Sequence, residues 1–254
     1  MGFTLKLLKL KNLKKKGKQN LFVIPYFFTF ANAIFGLLSV IQTFEGNYVF
    51  AAYCIIFAAI MDLFDGKVAR ALGATSYLGM ELDSLCDAVS FCFAPAILLY
   101  SVYFKNLGLL GVFVLSLYLC CGLLRLARFN ISSATKTKEI VYFVGLPTPV
   151  SAFLIAQLVI NFNWISTNFL PFLKNPYFFV LCIGAIALLM ISPVRFPSFK
   201  KIDPRLLIGA FFVILIASGI GLLYGYPVIF LGLFAYITIF VCSFLVKKII
   251  ALVF

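Results

Sequence analysis

The stretch "DLFDGKVARALGATSYLGMELDSLCD", residues 62–87, places four aspartates, Asp62, Asp65, Asp83 and Asp87, in a chain that is 64% hydrophobic and 11% charged. A carboxylate at mid-bilayer costs about 2.5–3.5 kcal/mol. Four cost on the order of 10 kcal/mol, comparable with the stability of a whole domain. Such groups must be partly wet, paired or bound to metal. Their spacing narrows the choice. Asp62 and Asp65 stand at i,i+3 and Asp83 and Asp87 at i,i+4, so each pair shares one helix face. In an antiparallel hairpin turning at Gly73-Ala74-Thr75, Asp62 falls opposite Asp87 and Asp65 opposite Asp83, so all four carboxylates converge. Ala69 and Gly79 also fall opposite each other and predict a close approach of the two helices. Gly66 leaves backbone open to a ligand.

Outward from this hairpin, apolar runs long enough to cross a bilayer recur along the chain. Eight spans are expected, at residues 21–43, 48–71, 77–104, 108–129, 145–162, 176–192, 206–224 and 227–246. Prolines 147, 149, 171 and 176 interrupt the fifth and sixth. The first run is too long for a cleaved leader. The expected fold class is all-α, a polytopic membrane helix bundle. Residues 1–20 form a basic interfacial tail, 21–246 the membrane domain and 247–254 a short C-terminal tail. With the N-terminus in the cytosol, Lys105 and Lys174 alone of the 21 basic residues fall outside. This bias is the positive-inside rule. It supports an even number of spans, with both termini and the aspartates on the cytosolic side of a cell membrane.

The net charge of +13 is therefore a property of one face. It reflects topology, with attraction to anionic lipid of about 1 kcal/mol per basic residue near the surface as the functional addition. Basic residues scattered over loops between spans speak against a nucleic-acid partner. The seven cysteines show no zinc spacing and read as packing residues. There is no histidine, which removes histidine bases, Ser-His-Asp triads and histidine-ligated metals. Chemistry must run on carboxylates, hydroxyls, Arg or Lys. Converging carboxylates repel unless cations lie between them, and an all-oxygen donor set suits Mg²⁺ or Mn²⁺. Two such ions can clamp a phosphoryl or pyrophosphate group, and Arg70, one turn beyond Gly66, is placed to bind phosphate oxygens.

The same residues resemble the CDP-alcohol phosphotransferase signature, D-x-x-D-G-x-x-A-R followed after eight residues by G-x-x-x-D-x-x-x-D. Asp62, Asp65, Gly66, Ala69, Arg70, Gly79, Asp83 and Asp87 occupy every fixed position. The resemblance implies a two-metal site at Asp62, Asp65, Asp83 and Asp87, with Asp87 also the general base. It implies CDP contacts from Asp62, Gly66, Ala69 and Arg70, a core of six spans, and homodimers. Further stretches resemble the membrane-embedded phosphatidylserine synthase branch: "IPYFFTFANAIFGLLS" (24–39), "DSLCDAVSFCFAPAILLY" (83–100), "RLARFN" (125–130), "GLPTP" (145–149) and "ISPVRFPSFK" (191–200). By that resemblance the substrates are CDP-diacylglycerol and L-serine. Glycerol-3-phosphate or inositol phosphate as acceptor, or an ether-lipid donor, are the alternatives within the family.

Arg125 and Arg128 are candidates for the acceptor carboxylate or phosphate, with Asn130 beside them. Topology and lipid headgroup contact are their other reading. Thr29 and Asn32 are expected to face the nucleotide, or else to bond between helices. Arg195 and Lys200 read as solvated loop charges. Glu81, two residues off Asp83, is expected to point away from the carboxylate face and to pair or snorkel. Trp164 reads as an interface anchor. A cation-coupled transporter would also carry intramembrane carboxylates, but with inverted repeats or helices broken at mid-depth, and the sequence shows neither.

Overall fold

A computed structural model describes residues 23–73, 76–135, 142–169, 174–197 and 232. Among the described residues four helices are long and apolar enough to cross a membrane: α1 (Val23–Phe44), α2 (Tyr48–Ala71), α3 (Tyr77–Leu107) and α4, whose apolar part is Leu109–Ser132 and whose helix runs Leu109–Thr135. The chain is a polytopic membrane helical protein. Two shorter helices follow, α5 (Thr148–Ile160) and α6 (Pro176–Ile191). The fifth expected span, 145–162, starts three residues late, at Thr148 of α5, and beyond Asn161 helical turns continue over Phe162–Trp164 and Ile165–Phe169. Its first residues are used elsewhere. Strand β1 (Tyr142–Val144) pairs antiparallel with β2 (Arg195–Pro197), Val144 opposite Arg195. Gly145 turns out of β1 with φ +81°. Expected spans seven and eight and both terminal tails lie outside the described residues.

α1 shows why this sequence folds in lipid. Its buried residues are Pro25, Thr29, Asn32, Gly36, Ser39 and Thr43. They recur at alternating steps of four and three, a single seam of small and polar groups. Phe27, Phe30, Ile34 and Leu37 point outward. This inversion of the soluble pattern follows from a solvent as apolar as leucine. Packing then favours small residues and interhelical hydrogen bonds. α2 answers with Ala51, Ala52, Ile55, Ala58 and Ala59, which join Phe91, Ala94, Leu98, Ala152 and Ala156 in one core. A second core gathers Phe104, Tyr118, Leu146, Ile155, Phe179 and Met190 between α3, α4, α5 and α6.

α3 is regular through Asp87 and then opens into a π-helical segment at Ala88–Phe93. It closes again at Ala94–Leu99 and opens a second time at Tyr100–Phe104. A π segment disturbs the backbone ladder, and here polar side chains join it. The Tyr118 hydroxyl donates to the Phe91 carbonyl at 2.9 Å, and the Ser90 hydroxyl to the Asn32 carbonyl at 2.9 Å. Both groups are fully buried. The helix stays continuous and is not broken at mid-depth.

Gly145 is the tightest point in the backbone. Its N–H donates to the Val194 carbonyl at 2.8 Å, and a Cβ there would overlap the Met190 carbonyl. Gly145→Ala meets both that overlap and the left-handed φ. We expect a loss of about 3 kcal/mol or more, read as a thermal midpoint lowered by roughly 6–12 °C in detergent.

Candidate active site

The α2–α3 hairpin is closed by two local devices. Gly73, just past the end of α2, takes φ +60°, a conformation open to glycine. Ser76 caps α3, its hydroxyl accepting from the Gly79 N–H at 2.9 Å. The Tyr26 hydroxyl of α1 meets the same Ser76 hydroxyl at 3.0 Å. Turn residues Ala74 and Thr75 lie outside the described residues.

Across this hairpin, carboxylate oxygens of Asp62, Asp83 and Asp87 all lie within 4.8 Å of one another. Asp65 is buried, and its side chain approaches both Asp83 and Thr29. Of the four carboxylates expected to converge, three share this group and Asp65 stands beside Asp83. Asp65 Oδ2 and Asp83 Oδ1 are buried and have no hydrogen-bond partner among the described residues. Several carboxylates together, with buried oxygens left over, fit a hard divalent cation.

Beside the cluster lies a cavity of about 520 Å³ lined by Thr29, Asp65, Gly66, Ala69, Arg70, Gly79 and Asp83, with Tyr26, Met80 and Phe129 among its walls. The volume is that of a small-molecule site. Gly66, Ala69, Arg70 and Thr29 all border it; Asp62 stands in the carboxylate cluster instead. A Cβ on Gly66 would lie 3.4 Å from Arg70 Nη1, so the guanidinium folds back over the glycine one turn earlier. The expected close contact between Ala69 and Gly79 is corrected: both residues line the cavity. Gly79 makes room for α1 instead, since a Cβ there would come 3.3 Å from the Tyr26 ring.

Asn32 is not among the residues bordering the cavity. It is fully buried one turn beyond Thr29, and its Nδ2 donates to Asp87 Oδ1 at 2.9 Å. Arg125 is 8% exposed. Its Nη1 donates to the Thr148 hydroxyl at 2.7 Å, and its guanidinium lies 5.9 Å from the Phe129 ring centroid. It is within electrostatic reach of Asp62 and Asp87. Arg128 behaves differently. It is exposed and donates to the Ile191 carbonyl at the end of α6 at 3.1 Å. Asn130 accepts from the Ser84 hydroxyl at 2.8 Å and donates to Glu81 at 3.2 Å. Glu81 thus finds a pairing partner away from the carboxylate cluster. Arg195 lies in β2, and Lys200 lies outside the described residues.

Two polar residues at this end of the molecule carried no reading of their own in the sequence. Thr148, fully buried at the first turn of α5, anchors Arg125. Ser90 holds the Asn32 carbonyl. A threonine between two prolines at a helix start was the available signal for the first. The second had none, because a lone serine in an apolar run reads as packing.

A family model described as CDP-alcohol phosphatidyltransferase matches residues 22–192. A CDP-diacylglycerol–serine O-phosphatidyltransferase of Helicobacter pylori strain 26695 is 34% identical over 237 residues, covering 91% of this chain and 95% of the relative. The protein of that name from Bacillus subtilis is 34% identical over 178 residues, 70% of this chain and 92% of its own. An archaetidylserine synthase of Methanothermobacter thermautotrophicus is 34% identical over 178 residues, 68% of this chain and 69% of its own. The match spans all four long helices, both short ones and every aspartate of the cluster, and on that ground the chain belongs to the CDP-alcohol phosphatidyltransferase family.

Proposed function

We propose that this protein transfers a phosphatidyl group from CDP-diacylglycerol to the hydroxyl of L-serine, giving phosphatidylserine and CMP. The observation that carries the reading is the carboxylate cluster of Asp62, Asp83 and Asp87 beside the cavity bordered by Thr29, Gly66, Ala69 and Arg70. The names of relatives similar over most of the chain support serine as the acceptor.

The residues divide the work as follows. Asp62, Asp65, Asp83 and Asp87 would hold two divalent cations, Mg²⁺ or Mn²⁺, which when bound supply charge neutralisation to the diphosphate and the departing CMP. Gly66, Ala69 and Thr29 form the nucleotide wall, with Asp62 at its edge. Arg70 binds phosphate oxygens. Serine's hydroxyl is a weak nucleophile at neutral pH, and Asp87 takes its proton as the new O–P bond forms and the bond to CMP breaks. Arg125 receives the acceptor carboxylate. Its burial and its reach to Asp87 favour it over Arg128 and Asn130, whose partners lie elsewhere. The surrounding architecture is a homodimer of eight-span protomers with a six-helix catalytic core, in the cytoplasmic membrane, with site and termini facing the cytosol.

The test is CMP release by purified protein from CDP-diacylglycerol, with and without L-serine and with and without Mn²⁺. Release that needs both is the expected result. Release with glycerol-3-phosphate or inositol phosphate but not serine would refute serine as the acceptor and keep the family chemistry. Preference for an ether-linked donor would place the chain with the archaetidylserine synthase it resembles.

A further inference from the structure

Two polar residues of α1 share its buried seam one turn apart, and they meet different neighbours. Thr29 borders the cavity. Asn32 turns to the aspartates, its Nδ2 donating to Asp87 Oδ1 at 2.9 Å. The Asn32 backbone is held in turn, since its carbonyl accepts from Ser90 Oγ at 2.9 Å. One turn further along the seam, a Cβ on Gly36 would lie 2.9 Å from Ser90 Cα and would overlap the Ser90 hydroxyl. α1 is thus seated directly on the α3 backbone, three residues past Asp87 and inside the π segment that begins at Ala88. We propose that Asn32 is a positioning residue that fixes the orientation of the Asp87 carboxylate, with Ser90 and Gly36 setting its height along α3.

The terminal torsion of an aspartate is soft. A donor on one oxygen fixes the plane of the carboxylate and so the direction in which the other oxygen faces. Asn32 Oδ1 is buried and accepts no hydrogen bond among the described residues. A buried acceptor without a donor is unfavourable, and helix packing alone would be served better by an alanine. The amide is oriented by its partner, because only the NH₂ end can face an ionised carboxylate. A nucleotide ligand would instead have to reach the cavity, which Asn32 does not border.

The proposal rests on Asp87 acting as the base, and the experiment separates the two. Asn32→Ala, Ser90→Ala, Thr29→Ala and Asp87→Asn are compared for kcat, for KM of CDP-diacylglycerol, and for CDP affinity by calorimetry. For Asn32→Ala, kcat is expected to fall about 10- to 100-fold, the range for residues that orient a functional ligand. KM and the CDP Kd should stay within about twofold, the pattern of an interaction made only in the transition state. Ser90→Ala should show the same split at smaller amplitude, and Thr29→Ala the opposite one. An Asn32→Ala enzyme that keeps its kcat, or one that loses CDP affinity in step with kcat, overturns the proposal. If Asn32→Ala does not fold, Ser90→Ala decides: an unchanged kcat there also overturns it. Full activity in Asp87→Asn would remove the base itself, a failure distinguishable from that of Asn32.

Discussion

Replacing Asp87 by asparagine is expected to lower kcat by about 10²–10⁴-fold, the contribution of a positioned general base, with CDP binding retained at saturating Mn²⁺ through the other three carboxylates. The structure explains why this variant keeps the fold around the site. Asp87 is buried, and Asn32 donates to one of its oxygens. An asparagine at 87 has the same shape. The Asn32 amide can turn over and offer its Oδ1, so the contact between α1 and α3 survives with donor and acceptor exchanged. Packing and helix register are preserved, and what is lost is the ability to accept a proton together with one anionic donor to the cations. CMP release with serine, compared with calorimetric CDP binding on the same preparation, reads both. A variant with near-normal turnover would show that Asp87 is not the base and return the assignment to Asp62 or Asp83. A variant that loses CDP affinity as well would make Asp87 a binding residue first.

The legibility of this site in the sequence has a physical reason. Carboxylates in an apolar chain are costly, so their positions carry information. Helical periodicity and one tight turn were enough to bring Asp62, Asp83 and Asp87 together. Glycines were less transparent. Gly79 looked like a contact surface for Ala69, but it accommodates the Tyr26 ring from another helix. Sequence spacing cannot report a neighbour that comes from a helix 53 residues away. The π segments of α3 were invisible for a different reason. An apolar run such as "AVSFCFAPAILLY" (88–100) has no polar side to its periodicity, so a one-residue slip in register leaves no trace. The start of the fifth span falls later than expected because hydropathy counts Gly145 and Leu146 as apolar. Their backbone groups instead bond to Val194 and Leu189 in the turn beyond β1. For Asn32 the sequence leaves two readings open, the nucleotide or a bond between helices, and the bond to Asp87 is the second of them; one face of α1 covers both the cavity and the aspartates.

The second large effect concerns metal and reads in stability as well as activity. Asp83 Oδ1 and Asp65 Oδ2 are buried without a hydrogen-bond partner among the described residues, and Asp83 belongs with Asp62 and Asp87 to a cluster whose carboxylate oxygens lie within 4.8 Å. Like charges so close oppose folding, and a cation held between them relieves that opposition. Mn²⁺ at about a hundred times its Kd is expected to stabilise the protein by about 2.7 kcal/mol. For a chain of this size that corresponds to a rise in the thermal midpoint of roughly 5–10 °C. Asp83→Asn should abolish both the Mn²⁺-dependent rise and CMP release. It should not lower the midpoint measured in chelator, because Asp83 Oδ1 has no hydrogen bond to lose and the substitution removes one charge from a repulsive cluster. A carboxylate serving only structure would give the opposite pair of results, a lower midpoint in chelator and an unchanged response to Mn²⁺. Scanning fluorimetry on wild type and variant, each with chelator and with Mn²⁺, separates the two. An equal Mn²⁺ shift in Asp83→Asn would mean that the cation binds elsewhere and that the convergence of these aspartates serves another end.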